Sequence, residues 1–134
     1  MQAALLRVKL RKLDAWNDRR KAASTRYQQG LPNKLTLPFC PPWAEPVWHL
    51  YVVRHQQRDA IQQKLTEAGI GTLIHYPVPP HLSGAYAEAG FPRGTFPLAE
   101  QIAETVLSIP IGPHLTPEQS GWVVEETNRA VHSL

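Results

Sequence analysis

Proline divides this chain into one part that can be helical without interruption and several that cannot. Residues 2–29 contain neither Pro nor Gly, whereas Leu31 to Pro46 holds five prolines and Pro77, Pro79 and Pro80 crowd a later segment. Each proline removes a backbone donor and locks φ, so a helix interior cannot run through such clusters. Within residues 2–29, Ala3, Leu6, Leu10, Leu13 and Trp16 recur at spacings of three and four. This pattern predicts one long amphipathic helix over residues 1–30, about seven turns, closed by Gly30 and Pro32. No Ser, Thr, Asp or Asn precedes it as a cap, so it reads as a helix entered part-way along.

After the proline-rich stretch, with a short strand expected near Leu35 to Leu37, the segment VWHLYVVR (Val47 to Arg54) has the β-branched and aromatic content of a strand. His49, Tyr51 and Val53 fall on one face, and Trp48, Leu50 and Val52 on the other. Both faces are largely apolar, which predicts a strand covered on both sides. Arg58 to Ala68 is a short helix with Ile61 and Leu65 inward and Gly69 closing it, and Ile70 to Ile74 is a second strand. SGAYAEAG is a helical turn closed by Gly90, and residues 97–107 form a helix with Pro97 in its first turn. SIPIGP is briefly extended. Thr116, Pro117 and Gln119 open a last helix in the manner of a capping box. The expectation is therefore an α+β fold: a long N-terminal helix plus a small antiparallel sheet, centred on the strands 47–54 and 70–74 and packed with helices. Residues 1–134 read as one domain, with 1–30 as the helix and 31–134 as an α+β subdomain.

At 134 residues and 43% hydrophobic content the chain can bury roughly two-thirds of its unfolded surface without disulfide or metal support. The single cysteine, Cys40, cannot form an internal disulfide and suits a reducing, cytoplasmic setting; between Phe39 and two prolines it reads as a small buried hydrophobe. No apolar run approaches the length of a membrane span, and the N-terminus lacks the apolar core and cleavage site of a signal peptide. Seven of the 14 Lys and Arg lie in the first 21 residues, interrupted by Asp14 and Asp18. A basic helix can meet nucleic acid or an acidic partner, but no base-stacking motif accompanies it, which argues against nucleic acid.

The segment LIHYPVPPHL (Leu73 to Leu82) carries the unusual chemistry. His75, His81 and His114 are near loop positions, but without the close ligand pairs of zinc sites, and no phosphate loop or nucleophile motif appears elsewhere. The prolines that follow His75 and Tyr76 stiffen the backbone at a strand end. Two readings stand: rigid polar aromatics forming a binding wall, or caps on the core that hydrogen-bond the backbone.

Taken in order, QAALLRVKLRKLDAWNDRR, VWHLYVVR, RDAIQQKLTEAGIGTLIHYPVPPHL and FPLAEQIAETVLSIPIGPHLTPEQ resemble the C-terminal part of the DegT/DnrJ/StrS sugar aminotransferases. These are fold-type-I enzymes that use pyridoxal phosphate to move an amino group from glutamate to a nucleotide-linked keto-sugar. The resemblance implies a substrate-binding role for His75 and Tyr76 near the active-site cleft, and a weaker one for His81. It also implies that a large N-terminal domain, which supplies the Schiff-base lysine in the family, precedes the block that opens this chain. Met1 would then stand inside a family member, which accounts for the uncapped helix. No cofactor and no catalytic residue is expected within these residues, because none of the five lysines sits where an amine is desolvated. Three outcomes follow from this: a catalytically empty small domain, a half-enzyme docking a separately encoded cofactor domain, or an interaction module acting through the basic helix. Apolar surface left uncovered on the first helix predicts a homodimer pairing these helices.

Overall fold

The computed structural model describes residues 1–134. Five helices surround a two-stranded antiparallel sheet: α1 (Gln2–Leu10), α2 (Leu13–Gly30), β1 (Tyr51–Arg54), α3 (Arg58–Glu67), α4 (Pro97–Thr105), β2 (Val106–Ile109) and α5 (Pro117–His132). Two short 3-10 segments, Pro80–Leu82 and Gly84–Ala89, follow the His75 region. The fold is α+β, as the sequence predicts.

The long helix of residues 1–30 is instead two helices. At Arg11 and Lys12 the ladder tightens, with the Lys12 N–H donating to Lys9 O at 2.9 Å, three residues back. No Pro or Gly forces this. Arg7 and Arg11, and Lys9 and Lys12, are like charges on adjacent turns, which disfavours continuing the helix between them. Arg7 and Lys9 complement the C-terminal dipole of α1, and Asp14 the N-terminal dipole of α2.

The sheet also differs from the expectation in its pairing. β1 is shorter than 47–54 because Trp48, at φ 51°, bends the chain before Tyr51. Its partner is β2, with Tyr51 opposite Ile109 and Arg54 opposite Val106, and not the segment 70–74. That segment contributes one antiparallel bridge, Leu73 to Ser108, on the other edge of β2, while Thr36 bridges Arg54 on the outer edge of β1. Val106 and Leu107 continue the apolar period of α4 in the sequence and so read as helix. In the structure α4 ends at Thr105, whose hydroxyl donates back to Gln101 O at 2.7 Å and accepts from Arg54 Nε at 3.0 Å. Arg58 is buried and donates to Ala103 O at 3.3 Å and Val106 O at 2.8 Å, tying α3 to the turn between α4 and β2.

Strand alternation gives the sheet two faces. Tyr51, Val53, Leu107 and Ile109 enter the main core with Tyr27, Leu31, Leu35, Ile61, Leu65, Ile70, Val123, Ala130 and Val131. Each fully buried aliphatic side chain among these stabilises the fold by roughly 1.5–3 kcal/mol. Tyr27 brings α2 into this core: its ring packs edge-on to Tyr51 at 5.1 Å and its hydroxyl donates to Pro110 O at 2.6 Å. α2 and α5 pack closely, since a Cβ on Gly30 would lie 2.7 Å from Val124 Cγ1. α3 closes as expected at Gly69, with φ 76° and Ile70 N–H donating to Leu65 O at 2.8 Å. The capping box of α5 is present, with Thr116 Oγ1 accepting from Gln119 N–H at 3.2 Å and Gln119 Oε1 from Thr116 N–H at 3.0 Å.

Cys40 is exposed, contrary to the expectation of burial. Its proline-interrupted loop builds no ladder against the sheet and stands away from the core. Phe39 and Trp43 beside it are 84% and 86% exposed. No helix is long and apolar enough to cross a membrane.

Candidate functional site

The second face of the sheet carries the histidine segment. Leu73 and Ser108 exchange both backbone hydrogen bonds, at 3.1 and 2.7 Å, so Leu73 and Ser108 share a face and His75, two residues on, returns to it. The His75 ring reaches Ser108, with Nδ1 and Oγ 2.9 Å apart. His49, Leu50, Leu73, His75, Ser108 and Ile111 are among the residues around an open hollow of about 180 Å³. Pockets enclosing a whole small ligand run to about 300–1,000 Å³, so this hollow can be one wall for part of a ligand. Tyr76 stands edge-on to His75 at 5.5 Å and is 74% exposed. Both the stiff backbone and the exposure suit a wall facing outward.

His81 lies in a different environment. It is buried in the Pro80–Leu82 turn, with Nε2 3.0 Å from Glu100 Oε1 and the Phe96 ring edge-on at 4.9 Å. Glu100 also accepts the Gly94 N–H at 2.7 Å. Burial pushes the Glu100 carboxyl up, but the Gly94 N–H, the His81 ring and the Phe96 amide together outweigh it and hold it below the usual carboxylate range. This cluster pins the segment following the prolines to α4. No hydrogen bond or ring contact joins His81 to His75 or Tyr76. The sequence alone does not point to Ser108 or Glu100, because neither is near its histidine along the chain, and it marks His49 only as a strand residue.

A covalent anchor for pyridoxal phosphate needs a desolvated lysine amine. Lys9, Lys12, Lys21 and Lys34 are exposed, and half-buried Lys64 donates to Ser133 Oγ at 2.9 Å. These lysines do not fit that role. His114 is exposed, and no group of three or more His, Cys, Asp or Glu is placed to hold a metal ion.

Helices on a small antiparallel sheet in this arrangement occur in fold-type-I aminotransferases. The chain superposes over 96% of its length on the crystal structure of Streptomyces venezuelae DesV in complex with a ketimine intermediate, with a TM-score of 0.92 and 47% identity, covering 35% of that chain. Residues 1–128 match the DegT/DnrJ/EryC1/StrS aminotransferase family, and the chain belongs to it. It is 54% identical over 126 residues to the erythromycin biosynthesis sensory transduction protein EryC1 of Saccharopolyspora erythraea, across 92% of this chain and 34% of the relative. It is 49% identical over 127 residues to the dTDP-3-amino-3,4,6-trideoxy-alpha-D-glucose transaminase of Streptomyces venezuelae, across 93% of this chain and 34% of that protein. The chain thus spans about a third of the length of the curated relatives it matches.

Proposed function

We propose that residues 1–134 form the C-terminal part of a cytoplasmic, pyridoxal-phosphate-dependent aminotransferase acting on a dTDP-linked keto-hexose. In this reading His75 and Tyr76 are the wall of the cleft that meets the nucleotide sugar, and the amino group goes to C3 of the sugar. The observation that carries it is a proline-stiffened pair, half-buried His75 and exposed Tyr76, in a chain 49% identical to a transaminase named for a 3-amino dTDP-sugar. The exposed single thiol is consistent with a reducing compartment. His81, held by Glu100, anchors the segment that follows the prolines to α4.

On its own the 134-residue chain does not transaminate, because no lysine here is desolvated and pyridoxal phosphate therefore lacks its anchor. Two measurements test the proposal. A dTDP-hexose at millimolar concentration is expected to shift the amide signals of residues 74–82, and silence there would remove the binding role. Purified with pyridoxal phosphate, the chain is expected to remain colourless; a yellow aldimine band abolished by a lysine substitution would overturn the claim of inactivity.

A specific observation favours a second property. All nine residues of α1 are exposed, including Leu5, Leu6, Val8 and Leu10 at 61–66%. We propose that this surface pairs two copies of the chain into a homodimer, since apolar area of this kind marks an interaction site. Light scattering at high concentration is expected to give twice the chain mass. A monomer that associates only with a separately supplied cofactor domain would assign α1 to that domain instead.

A further inference from the structure

We infer that Ser108, a buried residue, is a positioning residue: its hydroxyl donates to His75 Nδ1 and holds the imidazole in the tautomer with its proton on Nε2, the ring nitrogen left without a protein partner. The inference follows from the donors and acceptors present. A serine hydroxyl has one proton to give and two lone pairs to accept with, while a neutral imidazole has one nitrogen of each kind. Ser108, a residue only 5% exposed, has the His75 ring as the sole hydrogen-bond partner of its Oγ. If Nδ1 carried the proton, the serine proton would have no protein acceptor on a residue that is itself largely buried, which is the costlier arrangement. If the serine donates, both groups are satisfied.

A single backbone bridge anchors this arrangement. Leu73 and Ser108 are locked by their reciprocal backbone bonds, which fixes the backbone two residues before His75, and from there the His75 side chain reaches Ser108 Oγ at 2.9 Å. The consequence is chemical. His75 offers an N–H donor beside a hollow whose Leu50, Leu73 and Ile111 walls are apolar, and such a donor selects an acceptor oxygen. That the oxygen belongs to a nucleotide sugar rests on the function proposed above; the tautomer does not.

The test uses the 134-residue chain with 15N-labelled histidine at about pH 8, above the ordinary range of the ring. The wild-type spectrum is expected to show His75 Nε2 as the protonated nitrogen and Nδ1 as the bare one. Ser108→Ala is expected to let the two tautomers mix and Ser108→Thr, which keeps the hydroxyl, to restore the single form. A wild-type His75 protonated on Nδ1 overturns the inference without any variant, and so does a Ser108→Ala spectrum identical to wild type in a chain that keeps its native amide dispersion. Titration with a dTDP-hexose separates the two claims. Loss of one net hydrogen bond in Ser108→Ala predicts affinity weaker by about two- to tenfold. A correct tautomer with no ligand response at all sinks the functional proposal and leaves the Ser108 assignment standing.

Discussion

Helix α1 exposes every one of its nine residues, while α2, two residues further on, sends Ala23, Ser24 and Tyr27 into the core. Both have the apolar spacing of a helix, and neither contains a proline. The difference is a partner. α2 lies against α5 and delivers Tyr27 to the sheet, whereas nothing in this chain covers the leucines of α1. Helical periodicity therefore marks which residues are ready to be buried, and only packing decides whether they are.

This contrast should be largest in stability. Tyr27→Ala is expected to cost about 3–5 kcal/mol in urea unfolding, the range of large aromatic deletions, whereas Leu6→Ala in α1 should stay within about 0.5 kcal/mol. Comparable losses at the two sites would mean that α1 is packed in solution, as it would be in a tight dimer, and repeating the measurement on dilution would reveal that. Next in size is Gly30→Ala, where the new methyl meets Val124 Cγ1 at 2.7 Å across the α2–α5 contact. It should destabilise by about 1–3 kcal/mol, with part of the loss recovered by adding Val124→Ala. Independence of the two substitutions would deny the close contact.

The smallest effect is a titration confined to the packed region. Burial pushes the hydroxyls of Tyr27 and Tyr51 up from 10.0 to about 12, with nearby Arg26 working against burial at Tyr27. The folded state then holds these protons more tightly than the unfolded one. The stability this represents is complete below pH 10 and is lost as pH rises towards 12. Tyr27→Phe should shallow that alkaline decline, and the same decline in a variant lacking both hydroxyls would assign it to other groups.

Local chemistry made a good part of this fold legible. The capping box at Thr116, the Gly69 stop of α3 and the alternation of Tyr51 and Val53 each depend on neighbours a few residues away, and each stands in the structure where those signals point. Even the break at Arg11 and Lys12 has a local signal in its clustered basic residues, although no Pro or Gly marks it. The candidate wall was partly visible too, because prolines stiffen the backbone wherever they occur. Half-buried His75 and exposed Tyr76 stand just past the Leu73 bridge, while His81, six residues after His75, is enclosed by Glu100 and Phe96.

By itself the sequence determined where most of the helical segments lie, the Gly69 stop of α3, the family order and the stiff HYPVPP segment, since these follow from backbone sterics and spacing along the chain. Only the tertiary structure decided that β1 pairs with residues 106–109, that Ser108 lies against His75, and that Glu100 holds His81. The physical reason is that a strand's side-chain pattern says which face it buries but not which distant strand completes its hydrogen bonds. That choice belongs to the whole core, and with it came the partner of each histidine.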